Sequence, residues 1–130
     1  AALATLAQHT AAIARLMAEK LVRREVATDP EVLRRALETV LFKVEAGCSL
    51  QVTVHPDDAA WLRQQPETCA RLRIAEIKDD RRLEPGGALV KADDQEWDAT
   101  IERQLDVLAE TLAEALALPA PAPGEGDDDA

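Results

Sequence analysis

LQVTVHPDD, residues 50–58, is the stretch that decides the fold of this chain. Up to Val54 its apolar residues alternate with polar ones, which is the period of a half-buried β-strand. Pro56 ends the strand and starts a short helix that we expect to run to about Gln64, before Pro66 closes it. A strand followed at once by a helix predicts an α/β domain.

Two further strands are predicted downstream of this unit. The first is marked by apolar residues whose imperfect alternation indicates a bulge or an edge position: Leu72, Ile74 and Ile77. Residues 84–87, EPGG, form a tight turn. Residues 88–92 form the third strand, which we expect to pair with the second, and the polar residues 93–96 turn the chain. We therefore expect a small mixed or antiparallel sheet of three or four strands, packed by helices.

Helical periodicity appears on both sides of the sheet segment. A helix that starts near Pro30 and ends at Gly47 carries apolar residues at i, i+3, i+4 and i+7 spacing: Leu33, Ala36, Leu37, Val40, Leu41 and Val44. Asp98 is expected to cap the last helix, residues 99–117. The predicted buried stripe of that helix is Ile101, Leu105, Leu108, Leu112 and Leu116.

Residues 1–27 contain neither Gly nor Pro and predict a helical arm about 40 Å long. Two stripes run along it with 3,4 spacing, one of alanines and one of larger apolar residues. This narrow period is typical of a coiled-coil seam, and the seam of a homodimer is predicted at Leu3, Leu6, Ala7, Ile13, Ala14 and Met17. The alternative is an ordinary amphipathic helix packed on its own domain.

The last helix also carries an acidic stripe at four-residue spacing: Glu102, Asp106, Glu110 and Glu114. Like charges at i, i+4 destabilise a helix slightly, by about 0.2–0.5 kcal/mol per pair, so the helix itself does not favour the stripe. It is either a solvated face or a docking surface for a basic element of a partner. Trp61 and Trp97 lie beside charged segments and are either anchors of the same interface or core residues.

The composition excludes several classes of function. The chain has 130 residues and a formal net charge of -10, which argues against nucleic acid and against an anionic membrane surface as partners. No apolar run approaches the roughly 20 residues that span a bilayer, and no leader for secretion is seen. Two cysteines, Cys48 and Cys69, are too few for a disulfide scaffold, so we expect a protein of the reducing cytoplasm. Residues 119–130, PAPAPGEGDDDA, are expected to be a disordered acidic tail.

The inventory of reactive side chains is poor. There is no Tyr and no Asn, and Ser49 is the only serine. A zinc site would need the four residues Cys48, Cys69, His9 and His55, no two of which have the spacing of a zinc motif. His55 with Asp57 and Asp58 suggests either an acid–base cluster of a small hydrolase or metal enzyme, or a helix cap, and we favour the cap. We expect no enzyme, no metal and no cofactor.

Three motifs then appear in a fixed order: VTVHPDD at 52–58, LEPGGALV at 83–90 and DATIERQL at 98–105. Together they resemble the C-terminal domain of the FliH/YscL family, the stator proteins of flagellar and type III secretion export ATPases. The likeness spans roughly residues 20–117. The chain departs from the family pattern at Ala88, where Cys is usual, at Lys91-Ala92 and at Glu96-Trp97.

The resemblance implies a non-catalytic role and a division of the chain. Residues 1–27 would form the dimerising arm, and residues 28–118 would form a domain that binds the N-terminal region of the export ATPase. Upstream sequence would reach the cytoplasmic ring of the machine at the inner membrane. The fold would be similar to the C-terminal domain of a peripheral-stalk protein of vacuolar-type ATPases, and such a stalk protein is also the nearest alternative for the function. A generic coiled-coil adaptor, which dimerises without any ATPase partner, is another.

Overall fold

The computed structural model describes residues 2–118, so the predicted acidic tail lies outside the described part of the chain. The chain is α/β, with a long N-terminal helix followed by a small sheet and further helices, as the sequence predicted. The helices are α1 (Ala2–Thr28), α2 (Glu31–Leu41), α3 (Pro56–Arg63), α4 (Pro66–Arg71) and α5 (Ile101–Ala117). The strands are β1 (Leu50–Val54), β2 (Ile74–Asp79), β3 (Ala88–Ala92) and β4 (Gln95–Ala99).

The sheet is mixed and has the strand order β2-β1-β3-β4. β1 pairs in parallel with β2 and antiparallel with β3, which pairs antiparallel with β4. The expected pairing of the second and third strands is therefore wrong. β1 separates them because three of its five side chains are buried, which suits a central strand, whereas four of the six residues of β2 are exposed, which suits an edge strand. The register between β1 and β2 is irregular at Leu50 and Gln51, as the imperfect alternation of β2 suggested.

Two elements were not predicted. Residues 95–99, of which the first two were assigned to a turn, form the edge strand β4, and α4 begins where Pro66 was expected only to end a helix. Asp93 adopts φ 52, so the chain reverses within two residues after β3 and returns as β4. Most side chains of β4 are polar and exposed, and this composition concealed the strand.

The core lies on one face of the sheet. Side chains of Val52, Val54 and Val90 point into it and meet the fully buried Leu37 of α2 and Leu62 of α3. Each such side chain contributes about 1.5–3 kcal/mol when it is buried completely. The opposite face carries exposed residues of β1 and β3: Gln51, Leu89 and Lys91.

The helix caps also differ from the predicted ones. His55 caps α3 with its ring, because Nδ1 accepts a hydrogen bond from the backbone N–H of Asp57 at 3.1 Å. Thr100, not Asp98, is the N-cap of α5, and its hydroxyl accepts from the N–H of Arg103 at 3.2 Å. Asp98 stabilises this cap by accepting from the Thr100 hydroxyl at 2.6 Å. Because His55 caps α3, the Asp58 carboxylate is not used as a cap and contacts another part of the chain.

Candidate interaction site

The contact between α1 and α5 is the most extensive one between any two elements of the described chain. Ala7 and Ala11 of α1 are buried, as are Ile101 and Leu105 of α5. The two helices run antiparallel, since Arg15 pairs with the second turn of α5 whereas the last turns of α1 lie beside its first residue. The alanine stripe of the arm is thus covered by the chain's own last helix.

A ladder of ion pairs closes one flank of this helix pair. Arg15 contacts the Asp106 carboxylate at 2.9 Å and that of Glu19 at 3.3 Å. Glu19 in turn binds Arg23 at 2.6 Å, and Arg23 reaches Glu84 in the turn before β3 at 3.0 Å. Hydrogen bonds to Glu19 and Glu84 raise the pKa of the Arg23 guanidinium. Exposed pairs of this kind add little energy singly. The Arg15–Asp106 pair marks the register of α1 against α5, and the Arg23–Glu84 pair connects α1 to the turn before β3. We refer to these five residues as the charged flank.

The other flank of α1 is apolar and exposed. Four of the six residues predicted for the dimer seam lie there with 58–64% of their surface exposed: Leu3, Leu6, Ile13 and Met17. Leu21 continues the stripe at 66% exposure. The other two predicted residues, Ala7 and Ala14, are buried and half-buried respectively, on the side that faces α5. The structure therefore separates the two stripes that the sequence combined into one seam.

The charged flank ends at a junction where α1, α3, α5 and the turn before β3 meet. Asp58 in α3 accepts a hydrogen bond from the backbone N–H of Gly86 at 2.8 Å. Gly86 has φ +90, and a Cβ on it would lie 2.6 Å from Cγ2 of Val26. A Cβ on Gly87 would lie 2.7 Å from the Ile101 nitrogen. Only glycines permit both helices to approach this turn, so the three sequence motifs converge at one point.

This junction was not predicted from the sequence. Its signal was present in the fixed order of the three motifs, each of which was interpreted separately as a cap or a turn. A cleft of about 200 Å³ lies beside the junction, lined by Val22, Val26 and Pro85 among other residues.

The acidic stripe of α5 is divided between two environments. Asp106 is engaged by Arg15, whereas Glu102, Glu110 and Glu114 are exposed. Four residues advance an α-helix by about 400°, so the stripe turns by about 40° at each step. Glu110 and Glu114 consequently lie on the side of α5 that faces away from α1. Trp61 and Trp97, the other predicted partner-binding residues, are half-buried and pack against the core.

The four residues that a zinc site would need are not brought together in the part of the chain that the structure describes. Cys48 donates to a carboxylate oxygen of Asp93 at 3.0 Å, and this hydrogen bond is the main reason why the pKa of its thiol is raised. Burial raises the pKa of Cys69, whose thiol donates to the carbonyl of Leu62. Among residues 2–118, no three His, Cys, Asp or Glu side chains are placed to hold a metal ion.

The acid–base alternative rested on His55, Asp57 and Asp58. Nδ1 of His55 is used as a helix cap and lies 3.8 Å from the Asp57 carboxylate, beyond hydrogen-bond distance. Asp58 is bound to the backbone of Gly86.

None of the described helices is long and apolar enough to span a bilayer.

Fold and site together define a small α/β domain whose distinctive surfaces are the faces of a helical arm and of the helix packed on it. The family model of the flagellar assembly protein FliH matches residues 1–108, which is most of the chain. The chain belongs to this family, as the three motifs indicated. No curated protein matches it.

Proposed function

We propose that this protein is a non-catalytic stator and regulator of a type III export ATPase, and that it acts as a homodimer that binds the N-terminal region of the ATPase. The observation that carries the proposal is the extent of the family match. It covers the arm, the sheet and the first half of α5, and so includes the exposed apolar stripe of α1. In this proposal the homodimer acts as a peripheral stalk. A cytoplasmic position at the periphery of the export apparatus follows from this role.

Dimerisation is assigned to the exposed stripe of α1. Leu3, Leu6, Ile13 and Met17 recur at coiled-coil spacing, and each is about 60% exposed. Covering one of these side chains by a second copy contributes on the order of 1 kcal/mol. A stripe that is identical on both copies suits a two-fold contact, in which the same surface is used twice.

ATPase docking is assigned to the acidic face of α5. Glu102, Glu110 and Glu114 are exposed on a chain of net charge -10, and they suit a basic element of the ATPase. Asp106 belongs to the same acidic stripe but is already paired with Arg15, so its replacement would also weaken the contact between α1 and α5. Trp61 and Trp97 expose part of their rings and are the predicted apolar anchors.

The test is co-purification of the chain with the export ATPase at moderate salt, followed by mass measurement of the complex. We expect two copies of this chain for each copy of the ATPase. The double charge reversal Glu110→Lys with Glu114→Lys should weaken capture of the ATPase at least tenfold. The control is Glu45→Lys with Glu67→Lys, which changes the net charge equally at exposed positions outside α5.

Two results would count against this proposal. If the two double variants retain the ATPase equally well, the acidic face is not the docking surface. If the unmodified chain captures no ATPase at any salt concentration, the stator role itself is wrong. A chain that forms dimers but ignores the ATPase would instead be a coiled-coil adaptor.

A further inference from the structure

We infer that the dimer interface is a face of two helices, in which the second copy packs into the groove between α1 and α5 and contacts Leu108 of α5. This inference rests on the proposed homodimer and goes beyond it, because a two-stranded seam would use α1 alone. The starting observation is that Leu108 is 53% exposed, although it belongs to the apolar stripe that the sequence predicted to be buried. Leu105, one turn earlier in the same stripe, is only 5% exposed.

The geometry of α5 places Leu108 on one particular flank. At about 100° per residue, Leu108 lies about 60° to one side of Leu105 and Asp106 lies about 100° to the other. Leu105 is buried at the contact with α1, and Asp106 belongs to the charged flank through its pair with Arg15. Leu108 therefore lies on the opposite flank of the helix pair.

The geometry of α1 places the exposed stripe on that same flank. Arg15 lies about 40° to one side of the buried Ala11, and Met17 lies about 120° to the other. Since Arg15 faces the charged flank, Met17 and the stripe to which it belongs must face the flank that carries Leu108. The pair of helices thus has one charged flank and one apolar flank.

The antiparallel register brings these residues to the same height. Arg15 is level with Asp106, and each step toward the end of α5 corresponds to a step toward the start of α1. Leu108 therefore lies level with Ile13 and about one turn of α1 away from Met17, and these two residues are 61% and 64% exposed. The three side chains form one apolar patch that crosses from one helix to the other.

The occupant to which we commit is a second copy of this chain. Its own stripe has the 3,4 spacing that matches such a patch, and the contact closes as a two-fold dimer. Six exposed residues offer on the order of 400 Å² of apolar surface: Leu3, Leu6, Ile13, Met17, Leu21 and Leu108. Because interfaces are about 60% apolar, this corresponds to about 700 Å² per copy, close to the roughly 800 Å² of a stable complex.

The experiment compares two neighbouring residues of α5 in the full chain. Leu108→Gln should raise the dimer dissociation constant about tenfold, as measured by sedimentation equilibrium. Val107→Gln is the matched control: Val107 is 41% exposed and lies about 160° around α5 from Leu105, away from α1, so its replacement should change the constant less than twofold. Ile13→Gln is the reference for loss of the α1 stripe. Far-UV circular dichroism of each variant verifies that the helices are retained.

The possible failures are distinguishable. If Ile13→Gln weakens the dimer while Leu108→Gln and Val107→Gln do not, the interface is a seam of α1 alone, and the homodimer of the proposed function stands. If Leu108→Gln weakens capture of the ATPase but leaves the dimer intact, the groove belongs to the ATPase and the inference is overturned. If the unmodified chain sediments as a monomer at the highest concentration reached, the homodimer and the groove fall together.

Discussion

Replacing Gly86 by Ala tests how firmly α1 is seated on the turn before β3. The substitution has two separate costs. At φ +90 a Cβ is strained, which costs about 1–2 kcal/mol. The same Cβ would lie 2.6 Å from Cγ2 and 2.9 Å from Cγ1 of Val26, and overpacking of this kind costs about 1–3 kcal/mol. We therefore expect Gly86→Ala to lower the free energy of unfolding by about 3 kcal/mol.

Gly47 provides a matched control for the backbone strain. Its φ is +91, almost the same as that of Gly86, but a Cβ on it would meet nothing within 4 Å. Gly47→Ala should therefore cost only the strain, about 1–2 kcal/mol. For a chain of this size, 1 kcal/mol corresponds to about 3–5 °C in Tm, so the two variants should differ by several degrees.

A second substitution isolates the contact with α1. Val26→Ala removes both atoms that clash with the new Cβ, and it should restore on the order of 1 kcal/mol to the Gly86→Ala variant. The coupling follows from a double-mutant cycle. Unfolding in urea is monitored through Trp61 and Trp97, which are half-buried against the core, and all variants are compared at one protein concentration because a dimer gains stability with concentration. Equal losses for Gly47→Ala and Gly86→Ala, with no coupling to Val26, would refute the seating of α1 on this turn.

Two further predictions follow from the buried alanine stripe and from the thiols. Ala11→Leu inserts a large side chain at a position that is only 3% exposed and faces α5, so it should lower the free energy of unfolding in urea by about 1–3 kcal/mol. Ala12→Leu, on the exposed side of α1, is the control and should be nearly neutral. Equal effects of the two substitutions would contradict the packing of α1 on α5. Asp93→Asn removes the carboxylate that raises the pKa of Cys48, so more of this thiol should be ionised at pH 8 and its alkylation rate should rise. The rate is followed by peptide mass spectrometry, and Cys69, whose pKa is raised by burial, should keep its rate. An unchanged rate at Cys48 would contradict the assigned contact.

The parts of the fold that were predicted correctly depend on local signals. A few adjacent residues are enough to show the alternation in β1 and the turn at residues 84–87. Helix α1 is visible as a long segment without Gly or Pro. Strand β4 was missed because its exposed side chains are polar, and the pairing of β3 was wrong because alternation shows that a segment is a strand but not which neighbour it takes. Neighbours are chosen by burial of whole strands, which is a property of the assembled sheet.

The candidate site was predicted less completely for the same reason. Both stripes of α1 are visible in the sequence, but a stripe does not state whether the chain itself or a partner covers it. The answer depends on how α5 packs on α1. Asp58, Gly86 and Gly87 determine this packing, although they are separated in sequence from both helices. Leu108 was expected in the core because its spacing fits the buried stripe, and it is exposed because it lies on a flank of the helix pair, about 60° around α5 from the buried Leu105.

The junction gives the family motifs a physical meaning that their separate interpretations lack. Asp58 holds the backbone of Gly86, Gly86 makes room for Val26, and Gly87 makes room for the start of α5. A change in any one of the three motifs would therefore disturb the packing of α1 and α5 against the turn before β3. In the stator role proposed above, the placement of α1 at this turn would matter, because a movement of the bound ATPase would reach α1 only through rigid contacts. In an isolated cap or turn, other residue types could replace Asp58, Gly86 and Gly87. Here they cannot be exchanged freely, because α1 and α5 both pack against the same turn.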